Sequence, residues 1–88
     1  MRIWAREFKD NRMLKDLTVE DYSDETRTHK IFSSIEKICV EFDLSKPIWL
    51  DMNIEDFKRN GKVRFYKDSF IDFIPFDYLE IQVIEEDQ

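Results

Sequence analysis

Glycine occurs once in these 88 residues, proline twice, and cysteine and histidine once each. The lone glycine excludes a glycine-rich phosphate cradle, and so little glycine and proline argues against a low-complexity or disordered chain. One cysteine excludes an intramolecular disulfide framework. Cys39 and His29 lie ten positions apart in the sequence. On one helix that is about 15 Å of axial rise, too far for a single zinc ion whose ligand bonds are about 2 Å. No metal and no cofactor are therefore expected. No apolar run approaches the roughly 18 residues of a membrane span, and no charged-then-apolar leader opens the chain. The expectation is a soluble protein of a reducing cytosol, with residues 1–88 forming one domain.

Charge is plentiful and unevenly placed. The net charge is −6, yet residues 58–67 hold five bases and no acid, while residues 68–88 hold seven acids and no base. A chain of this balance is repelled by nucleic acid and anionic membrane at long range, but a local positive patch still acts within a Debye length.

The stretch from Ser23 to Phe42 reads as an amphipathic helix. Ile31, Phe32, Ile35, Ile38, Cys39 and Phe42 fall within about 60° of one another's centre at about 100° per residue. Ser23 or Asp24 is the expected N-cap, and Asp43, Ser45 and Pro47 end the helix. Residues 2–9 and 13–22 read as two strands joined through Asp10, Asn11 and Arg12. The first strand presents Ile3 and Ala5 on one side and Trp4 and Phe8 on the other; the second sets Met13, Leu17 and Val19 against Leu14 and Tyr22. Ile48 to Leu50 is read as a strand or a buried linker. Residues 54–65 admit two readings: a short helix begun by Asn53, or a hairpin turning at Asn60-Gly61. Residues 68–75 suggest a capped turn, and 76–86 an alternating strand carrying Leu79, Ile81 and Val83 on one side and Tyr78 on the other. Assembled, this is an α+β domain: a small antiparallel sheet of N-terminal hairpin plus C-terminal strand, one long amphipathic helix across one face, and one or two short helices.

Motifs for chemistry are absent. The run 51–62 opens like a calcium loop with Asp51, Asn53 and Glu55, but Asp56 stands where glycine is needed and Lys62 where a bidentate glutamate is needed. Cys39 lies in the apolar stripe and reads as core, and His29 as a flanking surface residue. The serines and threonines have one histidine between them and no strained elbow motif, which argues against a serine hydrolase. Lys58, Arg59, Lys62, Arg64 and Lys67 are interleaved with Phe57, Phe65 and Tyr66, a mixture seen in single-strand binders; the alternative is that these bases satisfy the acidic strand that follows.

The segments YSDETRTHK (22–30), PIWLDMNIEDFKR (47–59) and FDYLEIQVIEED (76–87) resemble those of a group of short acidic proteins of Gram-positive bacteria. The resemblance spans most of the chain and implies a bacterial cytoplasmic protein, with no activity or site residue attached. The expected function is a non-enzymatic protein–protein interaction module. The alternative is nucleic-acid binding through Lys58, Arg59, Lys62, Arg64, Tyr66 and Lys67. A third class is a small enzyme without a recognisable motif. One helix covers one sheet face, leaving residues 48–75 to cover the other. The aromatic residues Trp4, Phe8, Tyr22 and Tyr78 are therefore the candidate contact surface, for a protein partner or for a symmetric homodimer that buries at least about 1,000 Å² and uses aromatic residues of the sheet or of the 65–78 stretch.

Overall fold

The Asp10–Asn11 pair sets the first hairpin. Both residues take positive φ, 52° and 64°, the combination that a two-residue type I′ turn requires. Lys9 therefore pairs with Arg12, and strands β1 (Arg2–Lys9) and β2 (Arg12–Glu20) run back antiparallel. In the computed structural model, which describes residues 1–87, two helices and two further strands follow: α1 (Arg27–Phe42), α2 (Asp51–Asn60), β3 (Lys62–Phe65) and β4 (Tyr78–Glu85). The sheet is antiparallel throughout, in the order β2-β1-β4-β3. The fold is α+β, as its sequence pattern predicts, with a fourth strand, β3, that the sequence offers only in the hairpin reading of 54–65.

Helix α1 starts two or three residues later than expected. Thr26 is its N-cap, with Oγ1 accepting from the His29 amide at 3.2 Å. Ser23 and Asp24 do not cap it, because the Ser23 amide is bonded to Asp21 Oδ1 and the Glu25 amide to Ser23 Oγ. Such local side-chain bonds compete with helix initiation. Asp43, at φ 55°, closes the other end in the left-handed region. The stripe is buried as expected at Ile31, Ile35, Ile38, Cys39 and Phe42, but Phe32 is half exposed. Lys30 is buried as well, its Nζ donating to Asp87 Oδ2 at 2.9 Å.

Residues 54–65 resolve into parts of both readings. α2 occupies the first half, and Gly61 takes φ 64° as its C-cap, with its amide bonded to Phe57 O. The glycine therefore ends a helix, and β3 leaves from it. Asn53 sits one turn inside α2 and not at its cap. Its Oδ1 accepts from the Leu50 amide at 2.9 Å and from Ser69 Oγ at 3.3 Å, and its Nδ2 donates to Arg64 O at 3.1 Å. This buried amide ties the start of α2 to β3 and to the 3-10 turn Lys67–Ser69. Residues 48–50 form a linker that carries Trp49 into the core, where its ring meets Phe57 and Phe65 edge-on at 5.5 and 4.9 Å.

Both helices lie on the same side of the sheet, against Ile3, Ala5, Val63, Phe65, Leu79 and Ile81, all of them fully buried. Two strand assignments change in consequence. Met13 was expected beside Leu17 and Val19, but a bulge between Glu7 and Phe8 pairs it with Phe8 and turns it to the opposite face. Tyr22 lies beyond β2, which ends at Glu20. The segment expected to cover the aromatic face, residues 48–75, instead packs largely on the helix side.

Candidate interaction surface

The sheet face turned away from the helices is a ruled array, because strand register places side chains in rows across it. One row runs Asp16, Arg6, Glu80, Arg64 and alternates in sign. A second runs Met13, Phe8, Tyr78, and stacking extends it to Tyr66, with Phe8–Tyr78 and Tyr78–Tyr66 ring centroids 5.2 and 5.3 Å apart. A third holds Thr18, Trp4, Gln82 and Lys62. Arginines lie over the rings: Arg6 is 3.9 Å from the Trp4 centroid and 5.3 Å from that of Phe8, and Arg64 is 4.7 Å from that of Tyr78. The aromatic surfaces are thus partly covered by the chain's own guanidinium groups.

Glu80 is the centre of this array. It is buried, with Arg6 on Oε2, Arg64 Nε at 3.1 Å from Oε1 and Lys62 Nζ at 3.8 Å. Hydrogen bonds to Glu80 and Tyr66 hold the Arg64 guanidinium above its ordinary pKa. Arg6 also donates to Gln82 at 3.3 Å, and Trp4 Nε1 to Asp16 at 2.8 Å. Two bases of the basic island therefore neutralise the acidic strand beside them, the blander of the two readings of that island.

The structure divides the sequence-predicted residues. Trp4, Phe8 and Tyr78 share the open face; Tyr22 stands apart, exposed, with its hydroxyl 3.3 Å from Glu85. Lys62, Arg64 and Tyr66 join that face, whereas Lys58 and Arg59 lie on α2 and Lys67 in the 3-10 turn. The five bases do not form one track.

Sequence reasoning offered the 65–78 stretch as one source of contact residues but did not separate the tip of the loop between the 3-10 turn and β4 from its base. Residues 70–76 contain five large apolar side chains. Phe70, Ile74 and Phe76 are buried, but Ile71 is 82% and Phe73 90% exposed. The base of the loop is fastened: the Asp77 amide donates to Phe8 O at 2.8 Å, and Asp77 Oδ2 accepts from the Asp10 amide at 2.9 Å. Beneath the loop is a shallow hollow of about 720 Å³ whose wall includes Tyr66, Phe73, Phe76 and Asp77, so the aromatic row and the loop are neighbours. The available signal was the density of apolar residues, since a segment so short and bracketed by Asp68, Asp72 and Asp77 cannot bury all of them.

Groups with reactive potential are quiet. Burial pushes the Cys39 thiol up to about 11. His29 is exposed, with Nδ1 3.0 Å from Glu25. Glu7 is buried on the helix side, and that burial raises its pKa against the opposing pull of Lys15 at 3.7 Å. The run 51–62 is helix and strand, not a calcium loop, and no group of three metal-ligating side chains converges among the described residues. Among those residues no helix is long and apolar enough to cross a membrane. Compared with family models, with curated proteins and with solved structures, the chain matches none.

Proposed function

We propose that this chain is a non-enzymatic protein-interaction module of a bacterial cytosol, and that it engages its partner through the loop tip Ile71–Phe73 and the adjoining aromatic row. One observation carries the reading. Two large apolar side chains, the most exposed of their kind among the described residues, project into solvent from a loop whose base is hydrogen-bonded in place. Exposed apolar groups on a fixed base are what an interface anchor requires, because little ordering entropy remains to be lost on binding. Phe8, Tyr66 and Tyr78 extend the surface with rigid rings.

Nucleic-acid binding is the weaker reading, because Lys62 and Arg64 already face Glu80 and the open face alternates in sign. The two readings separate in a capture experiment from native cell extract, run with and without nuclease. Wild-type chain should retain specific proteins, Phe73→Asp should lose them, and nuclease should change nothing. Retention that is indifferent to Phe73→Asp, or that nuclease abolishes, overturns the proposal.

A further inference from the structure

A second apolar surface lies on the helix layer. Between α1 and α2 runs a groove of about 370 Å³. Its floor is Ile31, Trp49 and Phe57, and its lips are Phe32 and Ile54, both exposed. Arg27 and Lys58 stand at its mouth. Arg27 lies 5.5 Å over the Phe57 ring and makes two bonds to Glu86, at 2.9 and 3.0 Å; Lys58 has no ion-pair partner among the described residues. The groove is thus oily within and has one cation without an ion-pair partner among the described residues, Lys58, at its edge.

We infer that this groove receives the Ile71–Phe73 loop of a second copy of the chain. The inference rests on the loop being the interaction element proposed above and names what it binds. Three features fit the two surfaces to each other. The loop offers two large apolar side chains, and the groove has an apolar floor of three, Ile31, Trp49 and Phe57. The loop carries Asp72 between them and Asp68 beside them, and the groove mouth carries Lys58, with Arg27 next to it held by Glu86. In a chain of net charge −6, that mouth adjoins the one segment with bases and no acids, so opposite charges meet where most other surfaces would repel an acidic loop. With Phe73 90% exposed, the loop does not fill its own chain's groove, and no residue lines both the groove and the hollow beneath the loop.

Because loop and groove are different surfaces, two copies pair either reciprocally about a two-fold axis, each loop in the other's groove, or head-to-tail in series. The reciprocal pair closes at two; the serial contact leaves one free loop and one free groove and grows into a ring or a short filament. Filling the groove covers Phe32 and Ile54, so the same contact accounts for the exposed flank of the α1 stripe.

Sedimentation from low micromolar to millimolar concentration at physiological salt tests the pairing. Wild-type chain should pass from monomer to dimer as concentration rises, and to larger species where the contact is serial. A loop variant, Ile71→Asp with Phe73→Asp, should remain monomeric. So should a groove variant, Ile54→Asp with Lys58→Glu, with Lys58→Glu alone weakening association on the order of tenfold. All these positions are exposed, and unchanged thermal melts would show that the variants fold. Mixed in equal amounts, the two double variants should form a heterodimer that grows no further, because only one intact loop and one intact groove remain. A wild-type chain that stays monomeric, or a mixture that stays monomeric, overturns the loop-in-groove pairing. If protein capture still depends on Phe73 under those outcomes, the interaction reading stands with a foreign partner; if it does not, both fall.

Discussion

Replacing Glu80 by alanine tests the organisation of the open face, because one carboxylate there faces Arg6, Lys62 and Arg64. Its side chain is 3% exposed, whereas Arg6 is 18% and Arg64 47% exposed. Breaking a fully buried ion pair by deleting one partner costs about 3–5 kcal/mol, since the remaining charge is left without compensation. Here the cations keep part of their hydration, and solvent screening lowers the loss to about 2–3 kcal/mol. A domain of this size holds roughly 4–13 kcal/mol in total, and each kcal/mol moves its melting temperature by about 4–8 °C. Glu80→Ala should therefore melt about 10–20 °C below wild type and shift the urea midpoint without changing the slope. Combining Glu80→Met with Arg6→Met should recover part of the loss, because the strongest unpaired charge is gone. The same substitution frees cations: Glu80→Gln should gain affinity for single-stranded oligonucleotides, steeply weakened by salt, over a wild-type chain that binds them poorly. A Glu80→Ala melt within about 2 °C of wild type would refute the reasoning, since the array would then be a surface decoration and not a neutralised core.

Three further outcomes are expected. Ile35→Asp places a carboxylate in the fully apolar stripe of α1 at a buried site and should cost about 3 kcal/mol or more, read as loss of the cooperative unfolding transition by circular dichroism. Glu7 has a folded pKa raised above its ordinary value by burial. Between the unfolded and folded values the native state therefore holds more protons, so stability falls as pH rises through that window. Glu7→Gln should flatten this dependence in urea melts across mildly acidic pH and match or exceed wild type at neutrality. Cys39, buried and shifted to about 11, should react with a thiol reagent at neutral pH only as fast as the domain opens, and immediately in denaturant.

Local pattern carried most of the architecture. The apolar stripe of α1, the β1–β2 hairpin, the alternation of Leu79, Ile81 and Val83 and the helical polarity of 51–60 are each set by neighbours a few positions away. They are readable because helix and strand repeat at fixed periods. The placement of Cys39 in the core and His29 at the surface follows from the same periodicity. The four-residue strand β3 was legible only within the hairpin reading of 54–65, because four residues show too little of a period, and Met13 was misplaced because a bulge reverses the sides of everything beyond it.

What the tertiary structure alone decided is which surfaces are covered. The sequence determined that both sides of the sheet hold large side chains; it did not determine that both helices choose one side, or that arginines lie over the rings of the other. Pairing Glu80 with bases from β1 and β3 depends on the order β2-β1-β4-β3, which brings together residues 16 and 74 positions apart. Likewise Phe70, Ile74 and Phe76 are indistinguishable from Ile71 and Phe73 by hydrophobicity, and only the packing of the loop base against the core separates anchors from tips. Burial is a property of long-range contacts, and no local period encodes it in a segment that has neither helix nor strand.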